Sequence, residues 1–536
     1  EVYRGGESAR YGTDAVGGVI NIVTVASGSA SHTEAQTEDS WGKWKTNSYR
    51  VSLRDPVRMN GVTSRLAYSF HRTDGDYDYR YAVSPRNRIY SGARRNDGLR
   101  THNYFATAAY RFSGNTSLSF SGQIYSSRQG LPGAVSSIDT TAWKRDARTL
   151  GSLHFKTSAS QGLDIGASRF EQYFNNVDHP YSAYRYEDRY IDDLAQAAVR
   201  GRYRPIDGNE LIAGTDVQRD IVRHENLYRP AFSMGRTVRD NAGIYVGDTH
   251  QFDLGGIPFW QSAAVDASLR WDNVDTRNDN TTGGVSHVSQ WSQKAGVSLT
   301  RGGRFRVVMR ASYGSSFRLP SISALFWKGD IRSAANLDLR PELAEHSDAG
   351  IETVYDGPVQ VSAGTTFFHT YIRDLIVWQP AYGQVWTPVN LDAAVIAGHE
   401  DYITARLFKD RIRIAYRNTI TVAKNRGPDE NARDKMLTYR PHYVTRLDLD
   451  ARYGIFRGSY SVRLVDIRYS TDANTKWYDA YRVDDAGVGI EFGVSSATFK
   501  AGYRVKNLNG EEYELIGGYP MPGREWGVDL SLTYKL

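Results

Sequence analysis

The chain has 536 residues, of which 24% are charged and none is cysteine, and 66 Lys and Arg against 60 Asp and Glu give a formal net charge of +6. Without cysteine there is no thiol enzyme, disulfide scaffold or Cys-based zinc site, and charge this mixed is unlike the basic tract of a nucleic-acid binder. Mean hydropathy is −0.53, and no apolar run approaches the roughly 18 residues of a transmembrane helix; a β-barrel and a soluble all-β protein both remain open.

The first 25 residues read EVYRGGESARYGTDAVGGVINIVTV. Gly5-Gly6 and Gly17-Gly18 frame a small-residue segment ending in Tyr11-Gly12, and a β-branched run, residues 19–24, follows. Read alone, this is a Gly-punctuated turn feeding a short strand. The stretch has no charged n-region and no apolar h-region, so the sequence reads as a fragment whose upstream part is missing.

Beyond it, several segments alternate apolar with polar residues. Leu118, Phe120 and Ile124 alternate with Ser117, Ser119, Ser121 and Gln123; Ile412, Ile414 and Tyr416 with Arg411, Arg413 and Arg417; Val488, Ile490, Phe492 and Val494 with Gly487, Gly489, Glu491 and Gly493. Barrel strands alternate lipid-facing and lumen-facing positions in this way, and sandwich strands alternate too. Turn spacing separates the two. Gly/Asn/Asp signals recur at Asn60-Gly61, Gly114-Asn115, Gly162, Asp207-Gly208-Asn209, Gly255-Gly256, Gly302-Gly303, Asp356-Gly357-Pro358, Lys409-Asp410, Gly454 and Ser495-Ser496. Their intervals, about 40 to 55 residues, each hold two barrel strands and one longer loop. Ten turns at one end and eleven loops at the other predict 22 antiparallel strands, closed by pairing a strand beginning near Ser31 with the last one. The intervals share no motif, which disfavours a propeller. Fifty Gly and 36 Tyr suit a barrel with interfacial aromatic belts.

The expected extracellular loops are residues 74–103, 175–193 and 272–280. The first two are dense in Tyr, Arg and Asp, side chains that bind a large amphipathic ligand by stacking and charge-assisted hydrogen bonds. Candidate ligand-binding residues are Tyr77, Tyr79, Tyr81, Tyr181, Tyr184, Tyr186 and Arg185; wet loops beside lipopolysaccharide are the plainer reading. Asp74, Asp76 and Asp78 alternate as calcium-binding carboxylates do. Enzyme signatures such as G-x-S-x-G, the P-loop and H-E-x-x-H do not occur. His224-Glu225 and His399-Glu400 read as solvated loop or lumen pairs. At the end, Trp526, Val528, Leu530, Leu532, Tyr534 and Leu536 alternate unbroken with Gly527, Asp529, Ser531, Thr533 and Lys535.

Four stretches resemble the TonB-dependent outer-membrane receptors in order and spacing. Residues 1–25 resemble the RG-x-x-S-x-x-YG…GG-x-I-N-I-x-T end of that family's plug domain. ASYGSSFRLPSISALF (311–326) is similar to the strand entering the seventh loop. NLDLRPELAEHSDAGIE (336–352) resembles NP-x-L-x-PE…E-x-G, with Leu337 in place of Pro and Asp348 in place of Glu. NLNGEEYELIGGYPMPGREW (507–526) resembles the NLFDK-x-Y…GR ending, with Asn509 in place of Phe, and the last strand resembles an outer-membrane insertion signal with Leu536 in place of Phe. Cobalamin and ferric-siderophore receptors look nearest; residues 321–335 hold no His, against a haem receptor.

The resemblance implies a plug end at residues 1–26 and a transmembrane β-barrel at 27–536 in the bacterial outer membrane. It implies a monomeric importer, not an enzyme, of a ferric siderophore or corrinoid, with no covalent cofactor. The TonB–ExbB–ExbD inner-membrane complex would drive it through an upstream segment. It also implies a plug-to-barrel lock between Arg4 and Asp348, with Glu345 or Glu352 as substitute acids. A passive porin or a barrel enzyme are the alternatives; a porin predicts no plug sequence.

Overall fold

The computed structural model describes the chain except residues 1, 5–7, 14, 16–17, 21–32, 56–60, 84–87, 113–115, 159–160, 256, 258, 282–284, 328–333 and 381–385. Twenty-two antiparallel strands form one closed barrel. Its first strand, Glu34–Gly42, pairs with its last, Glu525–Lys535, from Glu34↔Lys535 to Gly42↔Gly527. Closure leaves the sheet no open edge, which hydrocarbon demands because it offers no hydrogen bonds to unpaired backbone.

Short connections fall at one end where the turn signals stand, as at Gly454 between Tyr443–Tyr453 and Phe456–Val465. The signals at Asn60, Gly114, Asn115 and Gly256 lie outside the described residues. At the other end the connections run from a tight turn at residues 43–45 to the long segments 74–98 and 319–341, the second and seventh in order.

The alternation has the orientation expected of a barrel in lipid. Leu118, Phe120, Ile414 and Leu530 are exposed, and Ile412, Val528 and Leu532 are half-exposed. Their neighbours Arg411, Arg413 and Asp529 line the interior. An apolar set turned outward all round is the reverse of a soluble core. Among the described residues no helix is long and apolar enough to cross a membrane.

One expectation fails. Residues 272–278 are not loop but the upper part of the strand Ser262–Asn278. Asp272, Val274, Thr276 and Asn278 are buried on the lumen side of the wall. The Asp- and Asn-rich composition reads as loop, yet a polar lumen lets a strand stay polar along its inner face. For the same reason 99–103 and 187–193 belong to the strands Leu99–Arg111 and Glu187–Tyr203.

The wall is uneven. Strands such as Gly235–Asp253 and Gln360–Pro380 have 19 and 21 residues, whereas Glu34–Gly42, Phe456–Val465 and Ala497–Lys506 have 9 or 10. About 10 residues cross the apolar layer, so the long strands project beyond it.

The N-terminal segment packs inside. Val2–Arg4 and Gly18–Ile20 form a two-stranded antiparallel pair, and a single helical turn, Ser8–Tyr11, lies between them. Ser8, Ala9, Gly12 and Ala15 are buried, with the turn against Ser262–Asn278, Val285–Arg301 and Phe305–Arg318. The extended run expected at 19–23 is seen through Ile20; its remainder lies outside the described residues.

Candidate functional site

The seam between this segment and the tall wall is built on one arginine. Arg270 points inward from Ser262–Asn278 and is 1% exposed, beside Asp272 at 0%. Its Nη1 and Nη2 donate to Asp216 at 2.7 and 2.8 Å, and its Nε and Nη2 donate to Asp272 at 2.9 and 2.7 Å. A guanidinium buried this deeply is tolerable only with such fork-to-fork pairing. Gly243 on the adjacent strand makes room for it: an added Cβ there would stand 1.9 Å from Arg270 Nη2. Gly12 covers the guanidinium from the lumen side, with φ +80° and an added Cβ 3.0 Å from the same nitrogen. Only glycine combines that backbone with that approach.

The seam is otherwise packed from small residues. Ser8 and Thr13 on the inner segment and Ser292 on the wall bury hydroxyl oxygens with no hydrogen-bond partner among the described residues. At these three positions close packing, not hydrogen bonding, joins the segment to the wall.

The opposite, shorter wall borders a cavity of about 1030 Å³. Here charged side chains face open space and pair across strands: Arg413–Asp450 at 3.2 Å, Arg457–Glu491 at 3.4 Å and Arg504–Asp529 at 2.9 Å. Most keep a third or more of their side-chain surface exposed, the regime in which an ion pair adds little stability.

At the mouth four loops are tied together. Tyr77 donates its hydroxyl to Pro520 O at 2.6 Å, and Val135 N donates to Gly518 O at 2.9 Å. Asn96 Nδ2 donates to Ala142 O at 2.7 Å and Asn176 Nδ2 to Asp139 at 2.7 Å. Asp139 also accepts from the backbone N–H groups of Thr141 and Ala142. Burial works against its charge, but these donors win and hold its carboxyl below the usual range. The seventh loop forms its own core: Leu325 and Phe326 pack with Met234 and Leu339, and the Trp327 ring packs tilted against His224, 4.7 Å between centroids.

The predicted ligand residues divide. Tyr77 is buried, its ring 5.8 Å from Trp44, and burial pushes its hydroxyl up to about 12; it is a structural strut. Tyr79 is half-buried in the hairpin Tyr77–Val83/Arg88–Arg94, and the side chain of Tyr81 lies outside the described residues. On the other loop Tyr181 and Tyr184 are exposed and Tyr186 half-buried, while Arg185 Nε donates to His179 O at 2.7 Å. The two groups thus stand on separate loops joined through residues 131–142.

The side chain of Arg4 lies outside the described residues, so its pairing with Asp348 is not seen. Asp348 accepts a hydrogen bond from Ser312. Glu345 is drawn away to Tyr313 and Arg373, and Glu352 to Arg310 at 3.5 Å. Asp74 is held by Lys45 at 2.7 Å and Arg72 at 3.6 Å, and Asp76 sits 3.8 Å from Arg95. These carboxylates do not converge, and among the described residues no three metal-ligating side chains do. His224, expected to be solvated, is fully buried, 3.0 Å from Asp188 and accepting from Met234 N at 3.1 Å.

Sequence reasoning missed Arg270, Asp216 and Asp272 because Asp272 reads as loop, and pairing across three strands leaves no local pattern. Gly12 carried the one available signal, as the glycine of Tyr11-Gly12.

A model described as TonB dependent receptor-like, beta-barrel matches residues 40–510. The vitamin B12 transporter BtuB of Vibrio vulnificus (strain YJ016) is 24% identical over 543 residues, covering 100% of this chain and 79% of that protein. The copper transporter OprC superposes with a TM-score of 0.80 at 15% identity, covering 99% of this chain and 85% of its own. The FrpB iron transporter from Neisseria meningitidis (F3-3 variant) gives 0.74 at 14%, with 100% and 87% covered.

Proposed function

Because the chain belongs to the TonB-dependent receptor family of outer-membrane β-barrels, we propose that it imports a scarce metal chelate, a ferric siderophore or a corrinoid, by energy-coupled transport. The observation that carries this reading is the inner segment seated on Arg270 inside a closed barrel. A passive porin needs no such seat. Relatives named for vitamin B12, iron and copper support the ligand class.

In this reading residues 1–26 end the plug and 27–536 form the barrel. The chelate docks on the loop ring, where Tyr181 and Tyr184 offer exposed rings, Tyr186 and Arg185 flank them, and Tyr79 and Tyr81 contribute from the neighbouring hairpin. The TonB–ExbB–ExbD complex then pulls the plug off its seat, shifting it between two states by external work. No covalent chemistry is required. Arg4 and Asp348 would latch the idle plug, in which case Arg4→Ala raises passive leakage; unchanged leakage removes the latch. The binding test is a titration of the protein with cobalamin and with several ferric siderophores. Saturable binding of one, weakened about tenfold in Tyr181→Ala/Tyr184→Ala, is expected. Binding of none would overturn the reading.

A further inference from the structure

On the outer face, at the loop end, four arginines stand side by side on four consecutive strands. Arg72 is in register with Arg100, Arg100 with Arg128, and Arg128 with Arg145. Each shares the outward face with exposed apolar residues four, six or eight positions along its own strand. Leu66 lies outward with Arg72, Tyr104 with Arg100, Phe120 and Ile124 with Arg128, and Leu153 with Arg145. Neighbouring strands are about 4.8 Å apart, so the row spans roughly 14 Å.

Like charges directly opposite one another destabilise a sheet, and elsewhere on this face the barrel avoids the problem. Arg189 has Glu171 at 3.1 Å, Arg223 has Asp193 at 2.8 Å, and Arg219 and Arg277 share Asp240 at 2.5 and 2.9 Å. In the row, Arg72 lies 3.6 Å from Asp74. Among the described residues no carboxylate pairs with Arg100, Arg128 or Arg145. Arg128 lies instead over the Trp143 ring, 4.3 Å from its centroid, and that ring packs on Tyr173 at 5.4 Å.

We infer that this row is a binding site for the phosphates of an acylated, phosphorylated glycolipid of the outer leaflet. The acyl chains would lie along the Tyr68, Tyr104, Phe120 and Ile124 surface. Three guanidiniums in a line, without a carboxylate partner among the described residues, supply bidentate donors to a polyphosphorylated headgroup. The aromatic pair Trp143 and Tyr173 marks the depth at which headgroups meet chains. The site rests on the outer-membrane placement and is independent of the transported ligand.

The test is retention of diphosphoryl lipid A by the protein through detergent washing, read by native mass spectrometry. The arms are the same lipid stripped of its phosphates, and inorganic phosphate added as competitor. Arg100→Gln/Arg128→Gln/Arg145→Gln should lower retention at least about tenfold, and Arg128→Gln alone about threefold. The control Arg219→Gln should leave it unchanged. Stripped lipid should be retained no better by the native protein than by the triple variant, and millimolar phosphate should not displace intact lipid. Equal retention by native and triple-variant protein, equal retention of stripped lipid, or displacement by phosphate would overturn the site. Heat-modified gel mobility verifies folding, and the single variant decides if the triple one does not fold. Because the chain has no cysteine, Ser182→Cys labelled on intact cells by an impermeant maleimide reports the orientation separately. Labelling with no lipid effect sinks the site alone, and no labelling sinks the placement on which it rests.

Discussion

The two sides of the lumen solve the same problem differently. The tall wall buries the centre of its charge cluster: Arg270 and Asp272 are out of contact with solvent under Gly12, and only Asp216 at the edge keeps about a third of its side chain exposed. The short wall leaves comparable pairs, such as Arg504 with Asp529, half in the open beside the 1030 Å³ cavity. Charge alone therefore does not mark the place where the inner segment is held. Desolvation does, because a buried pair fixes geometry and fails badly when broken, whereas an exposed pair is replaced by water at little cost.

The largest expected effect breaks the buried side. Arg270→Met leaves two inward carboxylates without their cation, Asp272 fully buried, and should cost about 3–5 kcal/mol in denaturant unfolding. It should also raise ion conductance in planar bilayers. A loss below about 1 kcal/mol would mean the cluster is wet and the contrast between the walls false. Gly12→Trp sharpens the point by leaving the cluster intact. A side chain at φ +80° and 3.0 Å from Arg270 must lift the inner segment, so conductance should rise while barrel stability changes little.

A middle-sized effect is expected at the mouth. Phe326→Ala empties the core of the seventh loop and should cost that loop about 3 kcal/mol, measured as faster hydrogen exchange over 319–327. Exchange at residues 131–142 should stay as it is, since the two loops have separate anchors.

Acid should loosen the four-loop ring through Asp139. A carboxylate whose folded pKa is depressed contributes stability that is complete above its unfolded value, about 4, and is lost as pH falls through the lower folded value. Protease nicking of residues 131–142 should therefore rise only below about pH 4. Asp139→Asn should nick faster at neutral pH and lose that dependence. The smallest effect belongs to the open wall, where Arg504→Gln should change unfolding by less than about 1 kcal/mol.

Much of the fold was legible because barrel physics writes itself locally. Alternation along Trp526 to Leu536 and the punctuation at Gly454 or Ser495-Ser496 each follow from a few neighbouring residues. The seat of the inner segment was not legible for the converse reason. Asp216, Arg270 and Asp272 become neighbours only when three strands pair, and Asp272 sits in a stretch whose composition imitates a loop. Tyr77 misled in another way. A tyrosine in a loop reads as a ligand contact, whereas here its hydroxyl ties the hairpin to Pro520 O.

The most direct test of a plug held on one wall and released by external work is uptake in whole cells. The complete protein should be expressed with and without a functional TonB system and supplied with the chelate it binds. Accumulation against a concentration gradient only in TonB-competent cells is expected, with binding equal in both. Equal uptake in the two strains, proportional to external concentration, would make the barrel a passive pore and contradict the plug mechanism.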